Sequence, residues 1–158
     1  MKTLRFIFFL LLAIGLNSSV INAQQIRWLS FEQLTDSMRK NPKPVMIFIH
    51  TSWCKYCAMQ ESNTFTDIGV LNKLNNDFYM LKLNAEETSS IVFLNRTYKY
   101  VPSGYGTGYH ELAEFLGREN GKLEFPTTII LTKSMVLSNR IQGFTDAPTL
   151  SSMMILNK

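Results

Sequence analysis

Cys54 and Cys57 are the only cysteines in this chain of 158 residues, and they directly follow the apolar run Val45-Met46-Ile47-Phe48-Ile49. A short run that is apolar at every position reads as a strand buried on both faces, as a central parallel strand would be. A helix is expected to open at Cys54, within Trp53-Cys54-Lys55-Tyr56-Cys57. That placement puts the first thiol at a helix N-terminus, where unpaired N–H groups and the helix dipole stabilise a thiolate. The second thiol lies within one turn, close enough to attack a mixed disulfide formed on the first. Lys55 adds a positive charge beside Cys54 and is expected to lower its pKa below the ~8.5 of a free thiol.

Three other uses of the pair compete with redox exchange. A zinc site needs two more ligands, and the only histidines, His50 and His110, have no common zinc spacing. A structural disulfide across so small a loop removes little unfolded-state entropy and stabilises weakly. Two inert buried thiols are the third use. The strand before and the helix after favour redox exchange.

The ends of the chain place the pair in a compartment. Lys2 and Arg5 precede the apolar stretch Phe6 to Leu16, and Ile21-Asn22-Ala23 offers a cleavage site before Gln24. That order is expected for a secretory signal peptide over residues 1–23, too short in its apolar part for the ~20 residues of a membrane span. An uncleaved anchor is the competing reading. The mature domain is then residues 24–158, one core's worth of chain. Without Lys2 and Arg5 the net charge falls from +4 to about +2, so the pI of about 9.1 overstates the basicity of the mature chain. With no basic stripe, nucleic acid is not an expected partner. Export would set the dithiol in an oxidising compartment, where disulfides form and persist.

Periodicity and turn chemistry outline the rest. Ser30 and Gln33 form a capping box for a helix over residues 30–41, stopped by Pro42 and Pro44. A helix runs from Cys54 into the low 60s, and another over Asp67–Asn75 puts Ile68, Leu71 and Leu74 on one face. Phe78–Leu83 is a second core strand. Residues 89–98 are expected to be helical, Tyr98 to Tyr109 irregular, and His110 to Leu116 a short helix ended by Gly117. Thr127–Leu131 and Val136–Ile141 pair as a hairpin, and Thr145 or Asp146 caps a last helix with Pro148 in its first turn. Strands alternating with helices predict an α/β fold with a mixed sheet covered on both faces.

Together these features resemble the thioredoxin superfamily over nearly all of residues 43–156. Trp53-Cys54-x-x-Cys57 matches the family's redox motif, Phe125-Pro126-Thr127 its cis-proline loop, and Gly143 a glycine before its last helix. Within the superfamily, Lys43-Pro44-Val45-Met46, Thr64-Phe65 and Gly143-Phe144-Thr145-Asp146-Ala147 are similar to the C-terminal domain of the reductant conductor DsbD. The resemblance implies a thioredoxin fold with an insertion before the cis-proline loop. It also implies a thiol–disulfide oxidoreductase, with Cys54 attacking and Cys57 resolving. Trp53, Phe125 and Pro126 would meet an extended client segment, and neither metal nor organic cofactor would be needed. Trp53 has a plainer reading as a core aromatic.

Two positions depart from the family. Thioredoxins commonly carry a buried aspartate six residues before the first cysteine to handle the resolving thiol's proton, and Phe48 stands there instead. Glu61, four residues after Cys57, matches an acidic residue of the DsbD-type domain; it is either a proton acceptor with a burial-raised pKa or an exposed carboxylate. His50 is either a satisfied strand-end histidine, the favoured reading, or a cation tuning Cys54. Tyr105 and Tyr109 either line a substrate-facing lip or, as slightly favoured, belong to a covering flap. The function expected is an exported, monomeric reductase of protein disulfides, fed by a membrane conductor. An oxidase or isomerase and a non-catalytic binding module are the alternatives.

Overall fold

The computed structural model describes residues 25–155, so the expected signal peptide over 1–23 lies outside the described residues. The chain runs through β1 (Trp28–Leu29), α1 (Phe31–Lys40), β2 (Val45–His50) and α2 (Lys55–Met59), which continues as a π-helical turn over Gln60–Thr64. After these come α3 (Ile68–Asp77), β3 (Tyr79–Asn84), β4 (Ile91–Phe93), β5 (Arg96–Tyr98), β6 (Tyr100–Gly104) and β7 (Thr107–His110). The last elements are α4 (Glu111–Gly117), β8 (Thr127–Leu131), β9 (Leu137–Gln142) and α5 (Ala147–Ile155).

Five strands form one mixed sheet in the order β1-β3-β2-β8-β9. At its centre β2 pairs parallel with β3 and antiparallel with β8. Both faces of β2 are therefore covered. Val45, Ile47 and Ile49 pack with Phe31 and Leu34 of α1 and Leu112 and Leu116 of α4. Met46 and Phe48 point the other way, into a cluster with Cys57, Val70, Leu74, Leu150 and Met154 from α2, α3 and α5. Each such side chain contributes on the order of 1.5–3 kcal/mol by leaving water. The sheet thus forms around the strand that delivers the cysteines.

The local signals of α1 and α5 act as expected. Ser30 Oγ accepts from Gln33 N at 3.2 Å, while Ser30 N donates to Gln33 Oε1 at 2.9 Å. Asp146 caps α5 by accepting from Thr149 N at 2.9 Å. In α3 Leu71 and Leu74 are buried as expected, whereas Ile68, the first residue after the Asp67 cap, is 75% exposed and Val70 is buried.

Residues 89–98 are not a helix but contain the β4–β5 hairpin, with Ile91 opposite Tyr98 and Phe93 opposite Arg96. Leu94 and Asn95 occupy its two-residue turn at φ 50° and 62°, the left-handed pair that a tight hairpin requires. Burial alternates: Phe93 and Tyr98 are inside while Val92 and Leu94 face solvent. The stretch expected to be irregular is likewise ordered, as the β6–β7 hairpin. Gly108 permits its close pairing, since a Cβ there would collide with the Val101 carbonyl oxygen. The edge strand β1 was not foreseen; two residues are too few for a periodic signal.

Candidate active site

Backbone hydrogen bonding at the end of β2 turns the chain into the redox helix. Cys54 N donates to Thr51 O at 3.4 Å, and Cys54 then serves as the N-cap of α2. Its Sγ accepts from Cys57 N at 3.0 Å, so an amide of the first helical turn points at the sulfur that would carry negative charge on reduction. Cys54 and Cys57 form a disulfide with Cα atoms 5.2 Å apart. Cys54 is 7% exposed and Cys57 2%. The more accessible cysteine is the one at the helix cap.

On the solvent side the disulfide is bordered by aromatic rings. Trp53 and Tyr56 are largely exposed, so the reading of Trp53 as a core aromatic does not hold. The Trp53 indole Nε1 donates to Glu86 Oε1 at 2.9 Å, which fixes its tilt. Its ring meets Phe125 edge-on, centroids 6.1 Å apart. The Phe125–Pro126 peptide bond is cis. Gly143 N donates to Pro126 O at 2.8 Å, from a φ of 86° that favours glycine. This ties the end of β9 to the loop beside the disulfide.

Behind the disulfide the environment is apolar. Phe48 is fully buried in the same cluster as both cysteines, with its ring 5.0 Å from that of Phe65 and stacked on His50 at 5.9 Å. No carboxylate replaces the family aspartate there. Glu61 instead reaches Lys82 of β3, Oε2 to Nζ 2.7 Å, in a partly exposed ion pair, and the Lys82 ammonium also lies over the Trp28 ring. Glu61 is thus held by a partner charge rather than by apolar burial. Burial, with the nearby Lys82 charge, pushes the pKa of His50 below its ordinary value. That direction counts against His50 acting as a cation toward Cys54 and favours the strand-end reading. Lys55 is exposed on the first turn of α2.

Two supports of the site were missed in the sequence. Fully buried Gln60 donates to Thr128 Oγ1 at 3.1 Å and accepts from Thr145 N at 3.0 Å, and Thr64 Oγ1 donates to Thr145 O at 2.7 Å. These bonds lock the redox helix to β8 and to the turn before α5. Glu86 is the other support. A long-range polar partner leaves no periodic trace, so neither had a signal to read.

A capped Cys-x-x-Cys after the central strand of this mixed sheet, facing a cis-proline loop, has the geometry of a thiol–disulfide exchange site. Residues 27–104 match the thioredoxin-like family. The described residues have the thioredoxin fold. It is 31% identical over 61 residues to the thiol:disulfide interchange protein DsbD of Campylobacter jejuni, a match covering 39% of this chain and 11% of that protein. Among solved structures, a Thermus thermophilus thioredoxin superposes with a TM-score of 0.58 at 17% identity, over 84% of this chain and 86% of that one. The reduced C-terminal domain of Neisseria meningitidis DsbD superposes with a TM-score of 0.50 at 16% identity, covering 80% and 96%. The chain therefore spans only a small part of the length of DsbD itself.

Proposed function

We propose that this protein is an exported thiol–disulfide oxidoreductase that reduces disulfides in other proteins. The observation that carries the reading is the capped Cys54, with the Cys57 amide aimed at its sulfur. In the reduced protein the Cys54 thiolate attacks one sulfur of a client disulfide. A Cys54–client bond forms and the other client sulfur leaves as a thiolate. Cys57, deprotonated, then attacks Cys54 Sγ, closing Cys54–Cys57 and releasing the second client thiolate. Two electrons pass to the client, and a dithiol donor must return them. A membrane conductor of the DsbD kind is the donor class, in keeping with the likeness to that protein.

Phe48 cannot accept the proton of Cys57, so Glu61, one turn further along, takes it, with Lys82 holding the carboxylate in place. Trp53, Phe125 and Pro126 bind the client as an extended segment. Neither metal nor organic cofactor takes part. Export rests on the leader pattern around Phe6 to Leu16. The lowered pKa of His50 supports reduction over oxidation, because it weakens one charge that an oxidant would use to stabilise its dithiol form.

The test is the reduction potential of the pair, equilibrated against glutathione. A value more negative than about −220 mV supports the reductase, and one above roughly −160 mV makes the protein an oxidant or isomerase. Failure to form a reversible disulfide leaves only a binding module, which would keep its function with both cysteines changed to serine.

A further inference from the structure

The aromatic border of the disulfide does not end at the cis-proline loop. Tyr109, on β7, also packs against Phe125, ring centroids 5.5 Å apart. Trp53, Phe125 and Tyr109 are therefore linked in one row of rings, with Phe125 in contact with both of the others. Tyr109 is not loosely placed. His110 N donates to Ala85 O at 2.7 Å, and Ala85 N donates to His50 O at 2.8 Å, so the end of β7 is fastened to the exit of β3 and β2. Ala85 is followed by Glu86, the residue that holds the Trp53 indole. The His110 side chain is fully buried: Nδ1 accepts from Leu112 N and Nε2 donates to Ser89 O, each at 3.2 Å. Tyr105, at the tip of the same hairpin, is fully exposed and stands apart from this row.

We infer that Tyr109 is a specificity-determining residue, extending the client groove so that it selects disulfides flanked on one side by a bulky apolar residue. The inference rests on the exchange reading and adds the client class to it. An extended segment advances about 3.3 Å per residue. The row of rings thus reaches roughly three residues from the target cysteine. Aromatic faces of fixed orientation favour aromatic and branched aliphatic side chains over polar ones.

The experiment uses the reduced mature protein and a set of synthetic peptides, each with one cysteine in a mixed disulfide with glutathione. Phenylalanine is moved from three residues before the cysteine to three after it, in a glycine–serine background. The expected result is a second-order rate about tenfold higher with phenylalanine at one or two positions on a single side. In Tyr109→Ala that preference falls to about twofold, Tyr109→Phe restores it, and Tyr109→Leu lies between. The leucine variant answers the question if the alanine variant does not fold. A flat phenylalanine scan in an otherwise active protein overturns the inference alone, as does a preference that Tyr109→Ala and Tyr109→Leu leave intact. A wild-type protein inert toward every peptide overturns the exchange reading and this inference with it.

Discussion

β2 and the β4–β5 hairpin are built from similar apolar and β-branched side chains, yet they are held in different ways. Val45 through Ile49 are all fully buried, supported by helices on both sides of the sheet. In the hairpin only Phe93 and Tyr98 are inside, while Val92 and Leu94 are more than half exposed. A central strand draws its stability from two packed faces. A hairpin at the periphery draws on one face and on its turn, so its sequence must satisfy turn geometry as well as burial. The chemistry sits on the strand packed on both faces, while the β4–β5 hairpin carries none of the residues assigned to the site.

Changes at the two regions should therefore differ in kind. Cys54→Ser is expected to reduce disulfide exchange to the buffer background, while Cys57→Ser accumulates a mixed disulfide with client, visible on a non-reducing gel. Equal loss of exchange from a hairpin change such as Val92→Ser would break the comparison. Phe48→Ala is expected to cost about 3–5 kcal/mol, read as a shift in denaturant midpoint, because it opens a cavity beneath the disulfide. A much smaller loss would mean that α2 and α3 can collapse onto β2.

Acid offers a test that touches β2 and the β6–β7 hairpin at once, since His50 ends β2 and His110 ends β7. Burial holds both imidazoles below their ordinary pKa, with the Lys82 charge adding to the effect at His50. Above about pH 6.5 both rings are neutral, folded or unfolded. Below it the unfolded chain takes up protons that the folded protein resists, so stability falls as the pH drops toward the depressed native values. Thermal midpoints measured from pH 8 to pH 5 should show that decline. His110→Gln should flatten part of it, and an unchanged slope would assign the effect to His50.

The smallest effects belong to the exposed hairpin. Val92→Ser should change stability by less than about 0.5 kcal/mol. Leu94→Asn should raise it by roughly 0.5 kcal/mol, since asparagine tolerates the left-handed turn better than leucine does. A loss at Leu94 would show that its exposed side chain has a packing partner, and would sharpen the contrast with β2 from the other side.

Much of the site was legible because its causes are local. Cys54, Cys57 and the strand before them are contiguous, the Ser30–Gln33 box spans one turn, and Phe125-Pro126 is a dipeptide. Phe48 was recognisable as a departure from the family for the same reason: its offset from Cys54 is counted along the chain. Residues 89–110 were misread because a short apolar run has no clear period, and the Leu94-Asn95 turn is unusual in placing leucine at positive φ.

The chain by itself determined that a buried strand would deliver a dithiol to a helix start, since burial and capping act between near neighbours. Only the tertiary structure decided what surrounds that dithiol: Glu86 on Trp53, Lys82 on Glu61, Gln60 between Thr128 and Thr145, Tyr109 against Phe125. It also decided the burial and the Lys82 neighbour that lower the His50 pKa. Each of these depends on which strands become neighbours, and that is settled by the packing of the whole core, not by any one segment.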